Sequence, residues 1–205
     1  MKRSAWILSL LIITTGGFAQ TFPSEIWHDG KVVLFDEDTL TGKIKYDLEN
    51  DLIQLHIKNT IQTYSSRKIL YFEIFDEVSN NYRYFYALPY EIQNNYEVPL
   101  IFEVLYEGPL SLLAREKIVT ENVPQFNTFY RPQIFNTRAR LDYTYYFLDK
   151  NGSIQRYTMK KGDLLRIMKS KSGQIRQYMR KNKLQHDQRN DLFRIVAYYN
   201  ALINP

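Results

Sequence analysis

The chain has 205 residues, of which 44% are hydrophobic, and it contains no cysteine. This composition excludes a disordered chain, a disulfide scaffold, a thiol nucleophile and a thiolate metal site. The net charge of +5 is uneven, because residues 151–205 carry 12 basic and 3 acidic side chains, whereas residues 20–150 carry 13 basic and 19 acidic ones. This asymmetry predicts either an anionic partner for the C-terminal part or charge pairing within the molecule.

Residues 1–19 have the residue order of a secretory signal peptide. Lys2 and Arg3 precede a short apolar run, Ala5–Ile13, and small residues follow up to Ala19. The run is shorter than the roughly 20 residues that a membrane-spanning helix needs. We therefore expect cleavage after Ala19, export to the periplasm or the cell exterior, and a mature chain without a transmembrane span. Without cysteine, the mature chain has no residue to carry a bacterial lipid anchor.

From residue 31 to residue 158 the sequence has the pattern of antiparallel β-hairpins, in which short alternating segments are separated by turn residues. Pro89 ends one predicted strand, Gly108 and Pro109 end another, and Asn151-Gly152 predicts a tight hairpin turn. The predicted strands are Val32–Phe35, Gly42–Tyr46, Leu52–Ile57, Ile69–Phe75, Tyr82–Leu88, Leu100–Tyr106, Leu110–Lys117, Leu141–Leu148 and Ile154–Thr158.

Residues 119–140 form the least regular stretch of the β-rich part. Pro124 and Pro132 interrupt a mixture of polar and aromatic residues there. Loops of this length in a compact domain are usually functional or disordered. We interpret the stretch as a loop, which would be the lid of an active site if the protein is a hydrolase-like enzyme with scattered acid and base residues.

After Met159 the apolar spacing becomes helical. Ser172 is the predicted N-cap of a middle helix, and Asp187 or Asn190 is the predicted N-cap of the last helix. The last helix carries one apolar stripe, formed by Leu192, Ile195, Val196, Tyr199, Leu202 and Ile203. The sequence therefore predicts an α+β fold, with an antiparallel hairpin-built sheet followed by two or three C-terminal helices packed on it. We divide the chain into a signal peptide (1–19), a β-rich domain (20–158) and a basic helical segment that packs on the same domain (159–205).

Two segments of the chain resemble parts of uncharacterised exported proteins of Gram-negative bacteria. Asp38–Tyr46 follows the pattern D-T-L-x-G-x-I-x-Y, and Phe102–Leu113 (FEVLYEGPLSLL) is similar to a second segment of the same proteins. The C-terminal helices that end in Tyr198, Tyr199 and Asn200 are similar to theirs as well. The resemblance implies export and a β-rich fold, and it implies no activity and no catalytic residue.

The basic residues of the C-terminal segment are the main candidate site. Clustered positive charge attracts polyanions, and for an exported protein the expected partners are lipid head groups, lipopolysaccharide, acidic glycans or a protein partner rather than nucleic acid. The alternative is a solvated helix face that complements the acidic β-rich part. The candidate polyanion-binding residues are Lys160, Lys161, Arg166, Lys169, Lys171, Arg176, Arg180, Lys181 and Lys183.

Two further patterns each have a functional and a structural interpretation. Asp36–Asp38 is either a calcium-binding turn or a solvated hairpin turn, and the second is favoured because the glycine that an EF-hand loop needs is replaced by Thr41. An aromatic run is either a sugar-stacking platform or a set of cross-strand pairs; its members are Tyr82, Tyr84, Phe85, Tyr86, Tyr90 and Tyr96.

The sequence contains no metal-binding histidine spacing, no serine-hydrolase elbow and no phosphate-binding glycine loop. We therefore predict no cofactor, no metal and no catalytic residue. The predicted function is that of an exported, non-catalytic module that binds a partner or an envelope component. The alternatives are the hydrolase-like enzyme described above and a structural envelope protein.

Overall fold

The computed structural model describes residues 21–93, 96–124 and 135–204, so the predicted signal peptide lies outside the described residues. Ten strands in these ranges form one antiparallel sheet, and three helices follow it, which confirms the predicted α+β fold. The strands are β1 (His28–Leu34), β2 (Thr39–Asp47), β3 (Leu52–Ile57), β4 (Thr60–Ser65), β5 (Ile69–Asp76), β6 (Asn81–Gln93), β7 (Tyr96–Tyr106), β8 (Leu110–Pro124), β9 (Phe135–Asp149) and β10 (Ile154–Arg156). The helices are α1 (Lys161–Ile167), α2 (Ser172–Lys181) and α3 (Arg189–Ile203).

The sheet curls at its N-terminal end. Its strand order is β10-β9-β8-β7-β6-β5-β1-β2-β3-β4, so three strands separate β4 from β5 although only residues 66–68 connect them in the chain. In a flat sheet β4 and β5 would lie about 19 Å apart. Three connecting residues reach only about 14 Å. The strands from β5 to β4 must therefore bend towards each other and enclose a core.

One face of the sheet carries both large hydrophobic clusters. Residues that pair across neighbouring strands share a face, and the pairs Phe72–Phe85, Phe85–Glu103, Glu103–Ala114 and Ala114–Tyr145 form one continuous row from β5 to β9. Phe72 and Phe85 belong to the core inside the curl. Ala114 and Tyr145 belong to the core beneath the helices. Glu103 thus lies where the two cores meet.

The opposite face carries a smaller cluster around Phe102, Leu113 and Tyr146. The end of the β6–β7 hairpin covers it, because the Tyr90 ring packs edge-on against Phe102 and Tyr146 at 5.9 and 5.5 Å between centroids. The β2–β3 turn is bonded to β7 and β8, because the Asp51 carboxylate accepts hydrogen bonds from the Ile101 amide and the Arg115 guanidinium.

β4 was not predicted, and every other strand except β3 differs from its predicted bounds, most of all β6 to β9. β6 does not end at Pro89, because Pro89 pairs directly with Pro99 of β7 and the strand continues to Gln93. Pairing with β5 stops at Tyr86 and pairing with β8 starts at Glu103, so both prolines lie where the hairpin has only two strands. Each missing amide hydrogen is tolerated there because a strand edge leaves donors unpaired. β7 begins correspondingly earlier than predicted, at Tyr96.

The prediction of a loop over residues 119–140 is wrong for the described part of that stretch. Residues 119–124 continue β8 and residues 135–140 belong to β9, in an unbroken register from Leu110–Asp149 to Pro124–Phe135. Polar cross-strand pairs replace hydrophobic alternation there, and Glu121 binds both Arg138 and Arg140. Residues 125–134 lie outside the described residues. Most of the segment that was interpreted as a lid is therefore part of the sheet.

The helices pack on β8 and β9 through the predicted apolar stripe. Leu192, Ile195, Val196 and Tyr199 are buried, and the Asn200 side chain binds both the N–H and the carbonyl of Leu110. The predicted caps are wrong, because α2 begins at Ser172 itself and Gln188 precedes α3 without a side-chain cap. Within the described ranges, no helix combines the length and the hydropathy that crossing a membrane requires.

Candidate functional site

The nine predicted polyanion-binding residues lie on α1, on α2 and in the turns beside them, and we call them the basic face. In α2, Ile175 and Met179 point into the core and are buried, which turns Arg176 and Arg180 towards solvent. Eight members are exposed and Lys171 is half-buried. The exposed members are Lys160, Lys161, Arg166, Lys169, Arg176, Arg180, Lys181 and Lys183. The helical segment thus presents its cations outward.

Little of the charge on the basic face is neutralised within the molecule. Among the described residues, Arg166 is the one member with an acidic partner, Asp163. The Asp163 carboxylate also accepts hydrogen bonds from the amide and hydroxyl of Thr158. Burial raises the pKa of Asp163, but the bonds from Thr158 and Arg166 outweigh it and hold the pKa below its usual value. No ion pair in the described ranges joins the basic face to the sheet, which counts against charge pairing with the β-rich part.

A second group of charged residues, the buried cluster, lies where the two cores meet. It consists of Tyr46, Arg83, Glu103, Glu116 and Arg189. Arg83 donates to both Glu103 oxygens at 2.9 Å and to Glu116 at 2.9 Å, and Arg189 donates to Glu103 at 2.7 Å. The Tyr46 hydroxyl accepts from Arg83 at 2.8 Å and donates to Glu116 at 2.5 Å. Two carboxylates therefore share one guanidinium.

The protonation states suit a structural cluster better than an acid–base pair. Burial raises the pKa of Tyr46 well above its usual value, so its hydroxyl stays protonated. Burial also opposes ionisation of Glu103, but Arg83 and Arg189 outweigh this effect and lower its pKa. A general acid at neutral pH needs a carboxyl whose pKa is raised. The shift at Glu103 goes in the opposite direction.

A cavity of about 380 Å³ separates the β2–β3 hairpin from the start of the β8–β9 extension. Tyr46 and Glu116 bring the buried cluster to its wall, and Leu48, Ile53 and Ile118 supply apolar surface. The remaining lining residues are Ser24, Lys45, Asp47, Glu49, Leu52, Gln54, Thr63 and Lys117. This volume is in the lower part of the range for small-molecule sites.

The aromatic run is divided between different surfaces. Phe85 is buried in the core and Tyr90 packs on the opposite face. Tyr86 stacks on Tyr71 across the strands at 5.3 Å between centroids, and Tyr82 meets Phe75 edge-on at 5.2 Å. Cross-strand pairs therefore account for Tyr82 and Tyr86, whereas Tyr84 and Tyr96 are exposed.

The buried cluster was missed from the sequence, although a signal for it exists. Arg83 alternates with Phe85 and Ala87, and Glu116 alternates with Leu112 and Ala114, so charged residues occupy core-facing positions of predicted strands. A charge at such a position predicts a buried partner. The partner itself is not readable, because the hydrogen-bonded residues lie between 20 and 86 positions apart.

No protein-family model, no curated protein and no solved structure matches this chain. The resemblance to exported proteins of Gram-negative bacteria therefore stays a prediction.

Proposed function

We propose that this protein is an exported, non-catalytic module that binds an anionic component of the cell envelope through the basic face. The observation that carries the proposal is the exposure of eight cations on α1, α2 and their turns, of which only Arg166 is paired within the described residues. Phosphate and carboxylate groups of lipids, lipopolysaccharide or acidic glycans share the chemistry that such a surface attracts.

The fold supports this interpretation because α2, which carries part of the basic face, packs against α3 and, through it, against the sheet. α2 and α3 are joined by the stacked rings of Tyr178 and Tyr198, at 3.9 Å between centroids, and Asn200 connects α3 to β8. The cations of α2 are therefore displayed on a packed layer and not on a free tail. A packed layer loses less conformational entropy than a free tail when a polyanion binds.

The test is binding of the mature protein to vesicles of phosphatidylglycerol and phosphatidylcholine in equal parts. The double variant Arg176→Gln with Arg180→Gln removes two exposed cations and retains helix-forming residues. Because each basic residue near an anionic surface contributes about 1 kcal/mol, we expect roughly thirtyfold weaker binding. Binding by the native protein should also weaken as salt is raised.

The matched control is Arg67→Gln with Lys68→Gln, which removes the same charge from the exposed β4–β5 turn. This control should bind the vesicles within about twofold of the native protein, since these cations lie outside the basic face. Equal weakening by both double variants would mean that only net charge matters. Native binding that is insensitive to salt would also contradict the proposal.

A further inference from the structure

β4 is an open edge of the sheet. It pairs with β3 through six consecutive residue pairs, from Ile57–Thr60 to Leu52–Ser65, and it has no other neighbouring strand in the described part of the chain. Residues 60–63 are exposed. Outside the ladder, the backbone hydrogen bond described at this strand joins the Lys68 amide to the Ser65 carbonyl at 2.9 Å. The outward amide and carbonyl groups of β4 are therefore accessible to another strand.

The two edges of the sheet differ in how they are protected. β4 has the sequence TIQTYS, with no charged residue and no proline, and its pairing with β3 shows no bulge. β10 at the other edge has three residues, and the chain enters the helical layer directly after it at the buried Tyr157. Natural edge strands usually carry charges, prolines or bulges that prevent pairing. Only β10 is protected, by its short length.

Charges stand at both ends of β4 instead of within it. Lys58 precedes the strand and Arg67 and Lys68 follow it, and all three are exposed without an acidic partner among the described residues. If two copies paired antiparallel through β4, Lys58 of one copy would lie beside Arg67 and Lys68 of the other. Like charges in this position oppose pairing between copies. A segment with acidic residues at its ends is complementary to the same positions.

The cavity described above adjoins this edge. Lys45, Gln54 and Thr63 pair across β2, β3 and β4, and all three line the cavity. A strand added beside β4 would place its next side chain in the same row, beside Thr63. In strand addition, main-chain hydrogen bonds give affinity and such neighbouring pockets give specificity.

We propose that the outer edge of β4 is the docking site for an extended, acid-flanked segment of a partner protein, which joins the sheet as a further strand next to β4. The main chain of that segment pairs with β4. Its acidic ends lie near Lys58 at one end and near Arg67 and Lys68 at the other.

The test uses the mature protein and the synthetic peptide EETVTVTVEE, with KKTVTVTVKK as the matched peptide of opposite charge. We expect the acidic peptide to slow amide exchange within residues 60–65 and the basic peptide to have no effect. Arg67→Gln with Lys68→Gln should weaken binding of the acidic peptide about tenfold. Failure of the acidic peptide to protect this strand, or equal protection by both peptides, would overturn the proposal.

Proline substitutions locate the binding edge. Successive amides of a strand point alternately to its two sides, so one of Gln62→Pro and Thr63→Pro removes a bond to β3 and the other removes only an outward donor. The variant that keeps the native melting temperature should lose peptide binding. Retained binding in that variant would contradict strand addition. Sedimentation that shows a dimer of the native protein, and a monomer of that variant, would assign the edge to a second copy and would also overturn the proposal.

The two proposals fail independently. Arg176→Gln with Arg180→Gln should weaken vesicle binding and leave peptide binding unchanged, whereas Arg67→Gln with Lys68→Gln should do the opposite. Loss of both activities in one double variant would mean that neither surface acts alone, and it would contradict the assignment of a peptide site to β4.

Discussion

The buried cluster and the basic face both consist mainly of charged residues, but the fold uses them in opposite ways. In the buried cluster, Arg83 is 9% exposed, and its guanidinium bonds to Tyr46, Glu103 and Glu116. On the basic face, cations such as Arg176 extend into solvent without a described acidic partner. Pairing and burial make a charge part of the fold, whereas exposure leaves it available to a partner. The two regions should therefore respond differently to the same kind of substitution.

The largest expected effect is the loss of stability on Arg83→Met. The substitution leaves Glu116 buried without a cation and Glu103 with Arg189 alone. Breaking a buried ion pair in this way costs about 3–5 kcal/mol. Urea unfolding measures it. The control is Arg176→Met on the basic face, which should change the free energy of unfolding by about 0.5 kcal/mol or less. Similar losses for the two variants would remove the distinction between the regions.

A smaller effect is expected on acidification. Because Arg83 and Arg189 outweigh burial, the pKa of Glu103 in the folded protein lies below its ordinary value of 4.5. Near and below pH 4.5 the Glu103 carboxyl binds more protons in the unfolded chain than in the folded one. Its contribution to the free energy of unfolding is therefore fully present above pH 4.5 and is lost as the pH falls through the folded pKa. Unfolding curves over this window should show the decline.

The control for the acid effect is Glu103→Gln, which removes the titrating group. This variant should be less stable than the native protein at neutral pH and should lose less additional stability below pH 4.5. A decline as steep as that of the native protein would assign the acid sensitivity to other carboxyls.

The smallest expected effect concerns the stability of the basic face. Arg176→Gln with Arg180→Gln should change the free energy of unfolding by about 0.5 kcal/mol or less, because exposed charges contribute little to folding. Thermal unfolding, compared with that of Arg67→Gln with Lys68→Gln, tests this. A loss of several kcal/mol would show that the basic face has a structural role, and weaker vesicle binding by that variant would then not indicate direct contact.

Local pattern was sufficient where one face of a strand or helix is apolar. Leu52–Ile57 alternates Ile53 and Leu55 with Gln54 and was predicted with the observed bounds of β3. The last helix was predicted from its apolar stripe, and Asn151-Gly152 correctly predicted the β9–β10 hairpin. In each case the residues that decide the structure are close together in the chain.

Local pattern failed where pairing partners replace apolar alternation. β4 was not predicted because TIQTYS has no buried apolar side, and its strand form depends on pairing with β3. The pattern predicts a loop at the extension of β8 and β9 because the contacts there are polar pairs such as Glu121 with Arg138. β6 continues through Pro89 because its pairing with β5 stops at Tyr86, so the missing amide hydrogen of Pro89 leaves no bond to β5 unmade.

The sequence by itself determined the α+β class, the order of sheet and helices, and the location of the excess positive charge, because each of these follows from periodicity or composition. Only the tertiary structure decided which charges are buried, which strand edge is open and where the sheet curls. Arg83 and Arg176 look alike in the sequence. Their different roles depend on side chains up to 37 positions away, such as Tyr46, and on the packing that excludes water from one guanidinium and not from the other.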